Sequence, residues 1–182
     1  MRTKMILMRY PMLADRYKIM TFRCRSAFAC LCFLLFAGTA SASHFEDADA
    51  AYERGDYSQA LKLYKPLALQ GFANAQNNLG EMYGSGKGVK QDYKEALKWY
   101  RLASEQGHSE AQNHLGLMYY KGEGVSKDYA QAHMWLSFSA DAGYQEAAKG
   151  RDVVTGLMTA QQVAESERLA ERCKARQLKK CN

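Results

Sequence analysis

The sequence lacks an apolar run long enough to cross a bilayer as a helix. Its main uncharged stretch, AFACLCFLLFAG at 27–38, is about 12 residues, against the roughly 20 that spanning requires. Arg23 and Arg25 precede it, and Thr39-Ala40-Ser41-Ala42 follows with the small-x-small spacing of a signal-peptidase site. The segment therefore reads as a cleaved secretory leader over 1–42 and not as a retained anchor. Neither a twin-arginine pair nor a lipobox before Cys30 or Cys32 is present, which favours general secretion. Counted from Met20 the leader has ordinary proportions, which points to Met20 as the true start.

Excess charge is also lacking once that leader is set aside. The whole chain carries +6 at pH 7, but residues 1–42 hold seven Lys+Arg and one acidic residue. The remainder, 43–182, has 18 of each sign. The +6 is therefore a property of the leader and not a nucleic-acid footprint, which would need a basic face on the folded domain. Arg172, Lys174, Arg176, Lys179 and Lys180 gather in a basic tail, read either as a solvated end or as a contact for an anionic surface.

The usual catalytic patterns are missing as well. His44, His108, His114 and His133 make no i, i+4 pair for a metal, and His133 reads as a half-buried structural histidine. No serine sits in a nucleophile elbow. GSGKGV at 84–89 lacks the spacing and the ending of a phosphate loop. No catalytic residue, metal ligand or cofactor site is expected.

Three of the five cysteines, Cys24, Cys30 and Cys32, fall in the leader. Cys173 and Cys181 are not a CxxC pair, and an exported protein is expected to join them as a disulfide. Eight helical residues cover about 12 Å, whereas a bridge needs its Cα atoms within about 7 Å. A helix through Cys173 must therefore stop before Cys181.

What the sequence does contain is repetition. GDYSQALKLY (55–64), QDYKEALKWY (91–100) and KDYAQAHMWL (127–136) recur at 36 residues, a period that signals a solenoid. Asp56, Asp92 and Asp128 are each followed three residues on by Gln59, Glu95 or Gln131, so each predicts a capping box. Tyr93, Ala96, Leu97, Tyr100 and Ala103 then mark one face of a helix that Gly107 ends. A second helix begins near Ser109 with Ala111, Leu115, Met118 and Tyr119 on one face. Gly80 and Gly116 sit mid-helix at the same register, where glycine costs up to about 1 kcal/mol, which predicts a close neighbour. In the loops GSGKGV and KGEGV, Val89 and Val125 are expected to turn inward.

Ala75, Leu79, Gly80, Met82, Tyr83, Gly86, Gly88, Val89, Asp92, Ala96, Trp99 and Gly107 together resemble the Sel-one-like repeat, a relative of the tetratricopeptide solenoid. The resemblance covers roughly 46–176 and implies an all-α fold, a right-handed α-α superhelix of antiparallel helix pairs. The expected parts are an N-terminal capping helix (43–55), repeats over 56–158 with a degenerate third, and a C-terminal capping helix with basic tail (159–182). Pro66 should kink its helix. Arg151 and Asp152 replace the Leu-Gly pair of the other units, and Thr159 with Gln162 predicts a fourth capping box. The last helix is expected to cover the exposed end of the stack.

Such a fold suggests binding, through a concave face lined by the aspartate-capped helices. Equivalent exposed positions are Lys62/Lys98/Met134 and Lys65/Arg101/Ser137. Lys62, Lys98 and Arg101 would meet an acidic partner, with Met134 and Phe138 as an apolar anchor; alternatively those two lie under the C-terminal helix. Trp99 and Trp135 read as packing residues in preference to ligand stackers. The expected protein is an exported, periplasmic or extracellular, non-enzymatic adaptor. It would be a monomer with a protein partner, and without nucleic acid or, after leader cleavage, membrane. A cell-wall-related enzyme or a muropeptide or β-lactam binder is the alternative, suggested by compartment and resemblance alone. Family members with proposed β-lactamase-like activity add a cysteine pair to each repeat, and this chain has none.

Overall fold

The structure, a computed structural model, describes residues 44–179 and 181. The expected leader, its start at Met20 and part of the basic tail lie outside them. The described residues form eight helices and no strand: α1 (44–53), α2 (Tyr57–Leu69), α3 (Ala73–Ser85), α4 (Tyr93–Ser104), α5 (Ser109–Lys121), α6 (Tyr129–Asp141), α7 (Gln145–Thr155) and α8 (Ala160–Ala175). From α2 to α7 each helix packs on the next, so the fold is the all-α solenoid that the period implies. No described helix is long and apolar enough to cross a membrane.

The aspartate caps form, but only half of each expected box is made. Asp56 and Asp128 accept from the backbone N–H groups of Gln59 and Gln131, and Asp92 accepts from Lys94 and Glu95. Only Thr159 and Gln162 complete the reciprocal pair. The reason lies one helix back. The backbone N–H of Asp92 donates to Tyr83 O at 2.9 Å, that of Asp128 to Tyr119 O at 3.0 Å, and that of Asp56 to Ala51 O at 2.9 Å. With the cap's own N–H already bonded, the third side chain has no orphan donor to satisfy.

The mid-helix glycines mark close approach. A β-carbon on Gly116 would stand 2.7 Å from Leu136 Cγ, and the same relation holds one unit earlier between Gly80 and Tyr100. Gly88 and Gly124 press the loops onto the preceding unit. A β-carbon there would lie 2.5 Å from the carbonyl oxygens of Tyr57 and Tyr93 respectively, and both glycines hold φ near +71°. Val125 packs against the core and Val89 is half-buried. α2 runs through Pro66, which lies in its last turn.

Two buried clusters fill the interior. Ala48, Ala51, Tyr64, Leu79, Met82 and Trp99 belong to one, and Tyr100, Leu115, Met118, Trp135 and Leu136 to the other. Both tryptophans are thus packing residues. At the C-terminal side α8 packs along α6, while Val153 and Leu157 at the end of α7 stay 57% and 51% exposed. α8 thus folds back onto α6, the last of the aspartate-capped helices.

Candidate interaction surfaces

The basic row expected from the repeat register divides into three environments. Lys62 on α2 and Lys98 on α4 are exposed, and Lys98 pairs with Glu95 at 3.3 Å. Arg101 is half-buried, and its Nη2 donates to the Tyr119 hydroxyl at 3.1 Å. Met134 is fully buried and Phe138 is 8% exposed. They offer no open apolar anchor, because α8 lies on them. Lys174 Nζ stands 6.0 Å from the Phe138 ring centroid, and His133 Nδ1 is 2.8 Å from Ser166 Oγ. The register that carries lysine on α2 and α4 carries methionine where a helix covers it.

Cys173 and Cys181 are joined, with Cα atoms 4.8 Å apart. The chain closes this loop by leaving the helix after Ala175 and placing Gln177 and Leu178 at φ 53° and 63°. Leu178 packs against the core near Gly107, and both cysteines are buried.

His108, His114 and His133 are each engaged locally. His108 caps α5 by accepting from Ala111 N–H at 3.2 Å, a role its turn position did not announce. His114 stacks on Tyr100 with centroids 4.8 Å apart, and its Nε2 lies 3.9 Å from Glu110. Burial pushes all three inner histidines, His108, His114 and His133, below their ordinary pKa. Among the described residues no group of three His, Cys, Asp or Glu could hold a metal.

Two of the clefts lie between the aspartate-capped helices and their neighbours, one against α3, α4 and α5 and the other against α1, α2 and α3. The first, of about 270 Å³, is lined among others by Glu81, Gly84, Tyr93, Tyr100, Lys121 and Glu123. The second, of about 130 Å³, is lined by Asp49, Tyr52, Glu53, Tyr64, Asn78 and Glu81. Glu81 belongs to both. Burial alone would raise its carboxyl, but hydrogen bonds from Tyr52 and Lys87 outweigh that and hold it below its usual value. Lys87 Nζ stands 3.1 Å from Glu81 and 4.8 Å from the Tyr52 centroid. Burial first, and then the nearby carboxylates of Glu81, Glu110 and Glu123, push the Tyr100 hydroxyl up.

This architecture has known counterparts. A family model described as Sel1 repeat matches residues 43–72, 73–108 and 109–144. The chain belongs to the Sel1 repeat family. The three matched Sel1 units pair α1 with α2, α3 with α4 and α5 with α6. Among solved structures, a protective antigen of uropathogenic Escherichia coli strains displaying an SLR fold is similar at 29% identity and a TM-score of 0.71. That match covers 78% of this chain and 31% of the antigen. A Sel1 repeat protein from Oxalobacter formigenes is similar at 34% identity and a TM-score of 0.55, covering 57% of this chain and 41% of that one. This Sel1 chain thus spans well under half the length of either. No curated protein matches it. Sel1 repeats are in general protein–protein interaction units.

Proposed function

We propose that this Sel1 repeat protein is an exported, non-enzymatic adaptor that binds an acidic protein segment along Lys62 and Lys98. The carrying observation is the contrast within one register. Met134 on α6 is covered by the chain's own helix α8, whereas Lys62 and Lys98 at the same register are uncovered and cationic. The face that accepts a helix on α6 is uncovered on α2 and α4, where lysine stands in the place of methionine. Arg101 borders this row and is steadied by Tyr119. Export is supported by the apolar leader sequence behind Arg23 and Arg25 and by the Cys173–Cys181 bridge. The histidines serve as cap, stack and inter-helix link, which supports a binding role over a catalytic one.

A photo-crosslinker placed at Lys65, beside the row, tests the reading in the native envelope. The expected result is a discrete protein adduct that Lys62→Glu/Lys98→Glu removes while the melting temperature holds. Equal adduct recovery from the charge-reversed protein would overturn it.

A further inference from the structure

Tyr57, Tyr93 and Tyr129 stand one period apart, at the first position of α2, α4 and α6. Two of these rings have another ring and a cation against them, the cation coming from the next unit's loop at Tyr57 and from two residues upstream at Tyr129. Tyr57 meets the Tyr52 ring edge-on at 5.2 Å, and the Lys87 ammonium lies 5.5 Å from its centroid. Tyr129 meets the Tyr120 ring at 6.0 Å, with the Lys127 ammonium 5.9 Å away. Among the described residues Tyr93 has neither a ring nor a cation against it, and it is 37% exposed.

The sequence shows what was exchanged. The position one period before Tyr120 is Gly84, and the position one period after Lys87 is Glu123. The loop that carries Glu123 is seated on Tyr93 as the loop that carries Lys87 is seated on Tyr57, through the equivalent close approaches of Gly124 and Gly88. At Tyr57 the cation also pairs with Glu81. At Tyr93 a carboxylate stands in its register instead, and Glu81 again faces the space from the other side. The missing ring and the missing cation leave the cleft of about 270 Å³.

The groups facing this cleft are mainly acidic. Glu81 and Glu123 line it, and Glu110 reaches it electrostatically. Lys121 is the cation in the lining; it sits 3.8 Å from Glu123 and its side chain is 53% exposed, so that pair is weak and exchangeable. His114, the remaining basic group, is kept neutral by burial.

We propose that this cleft is a subsite for an arginine side chain presented by a protein partner. The proposal rests on the reading of the chain as a protein-binding module. A guanidinium supplies both absent features at once: a flat cation that stacks on tyrosine and a fork of donors for carboxylates. Lysine supplies the charge without the plate.

The test uses the purified protein, a short neutral peptide bearing one arginine, and its lysine and norleucine counterparts, read by amide chemical shifts. The arginine peptide should move Gly84, Tyr93 and Glu123, the lysine peptide less, and the norleucine peptide not at all. Glu123→Lys, which restores the Lys87 arrangement, should weaken arginine binding about tenfold, as expected for loss of one charge-assisted partner. Gly84→Tyr, which restores the Tyr120 arrangement, should do the same. Its β-carbon would meet Ala96 Cβ at 3.6 Å, an ordinary contact. Glu123→Gln gives a milder third reading that leaves the backbone alone. Equal shifts from the norleucine peptide, or unchanged arginine affinity in these variants, would overturn the subsite. Because the probe is a defined peptide, the outcome is independent of whether Lys62 and Lys98 capture an acidic partner.

Discussion

The ring of Tyr100 occupies the space that a β-carbon on Gly80 would need: Cδ1 would be 2.7 Å from it. Alanine is favoured over glycine in a helix by about 1 kcal/mol, but overpacking a tight contact costs about 1–3 kcal/mol. Gly80→Ala is therefore expected to lower stability by about 1–2 kcal/mol in urea denaturation. Gly116→Ala should cost at least as much, since its β-carbon also meets the Ala132 carbonyl at 3.1 Å. Unchanged midpoints would show that Tyr100 and Leu136 shift aside freely.

Reduction should loosen the C-terminal side. The Cys173–Cys181 loop has a sequence separation of eight, and closing so short a loop stabilises by about 2–3 kcal/mol on the chain-entropy model. Cys173→Ser/Cys181→Ser should lose about that amount. Hydrogen exchange is expected to rise first in α8 and in the covered face of α6.

Acid should weaken the fold through its histidines. Burial is the leading cause that lowers His108, His114 and His133, so each binds protons more readily unfolded than folded. Their contribution is complete above the unfolded value of about 6.5 and is lost as pH falls below it. Thermal melts from pH 7.5 down to 5 should fall accordingly, and His114→Gln should flatten that slope. A slope unaffected by the substitution would assign the loss to other groups.

Removing a cap should cost only its local hydrogen bonds. Asp92→Ala takes away acceptance from Lys94 and Glu95 N–H, worth about 1 kcal/mol. The backbone bond to Tyr83 stays, so Asp92→Asn should recover most of the loss in the same denaturation assay.

Much of this fold was legible in the sequence because the repeat states each packing rule more than once. Three aspartates, the Leu-Gly pairs and the GxGV loops set the helix order. Reading failed where a residue's surroundings come from a distant segment. Whether Met134 and Phe138 face a partner or lie under the last helix depends on where α8 folds back, and the half-made caps at Asp56, Asp92 and Asp128 depend on carbonyls of the helix before. The Tyr93 cleft was hidden differently. Gly84 and Glu123 look like ordinary variation until set against Tyr120 and Lys87, and only the loop contacts of Gly88 and Gly124 show that these substitutions meet around one ring.

The amide of each aspartate cap grips a carbonyl of the preceding helix, so the residue that starts one helix also fastens it to its neighbour. Each of these bonds lies within one matched unit, so opening the first turn of α4 or α6 also strips a bond from α3 or α5 of the same hairpin. The two helices of a unit are thereby yoked, and neither should fray in hydrogen exchange without the other.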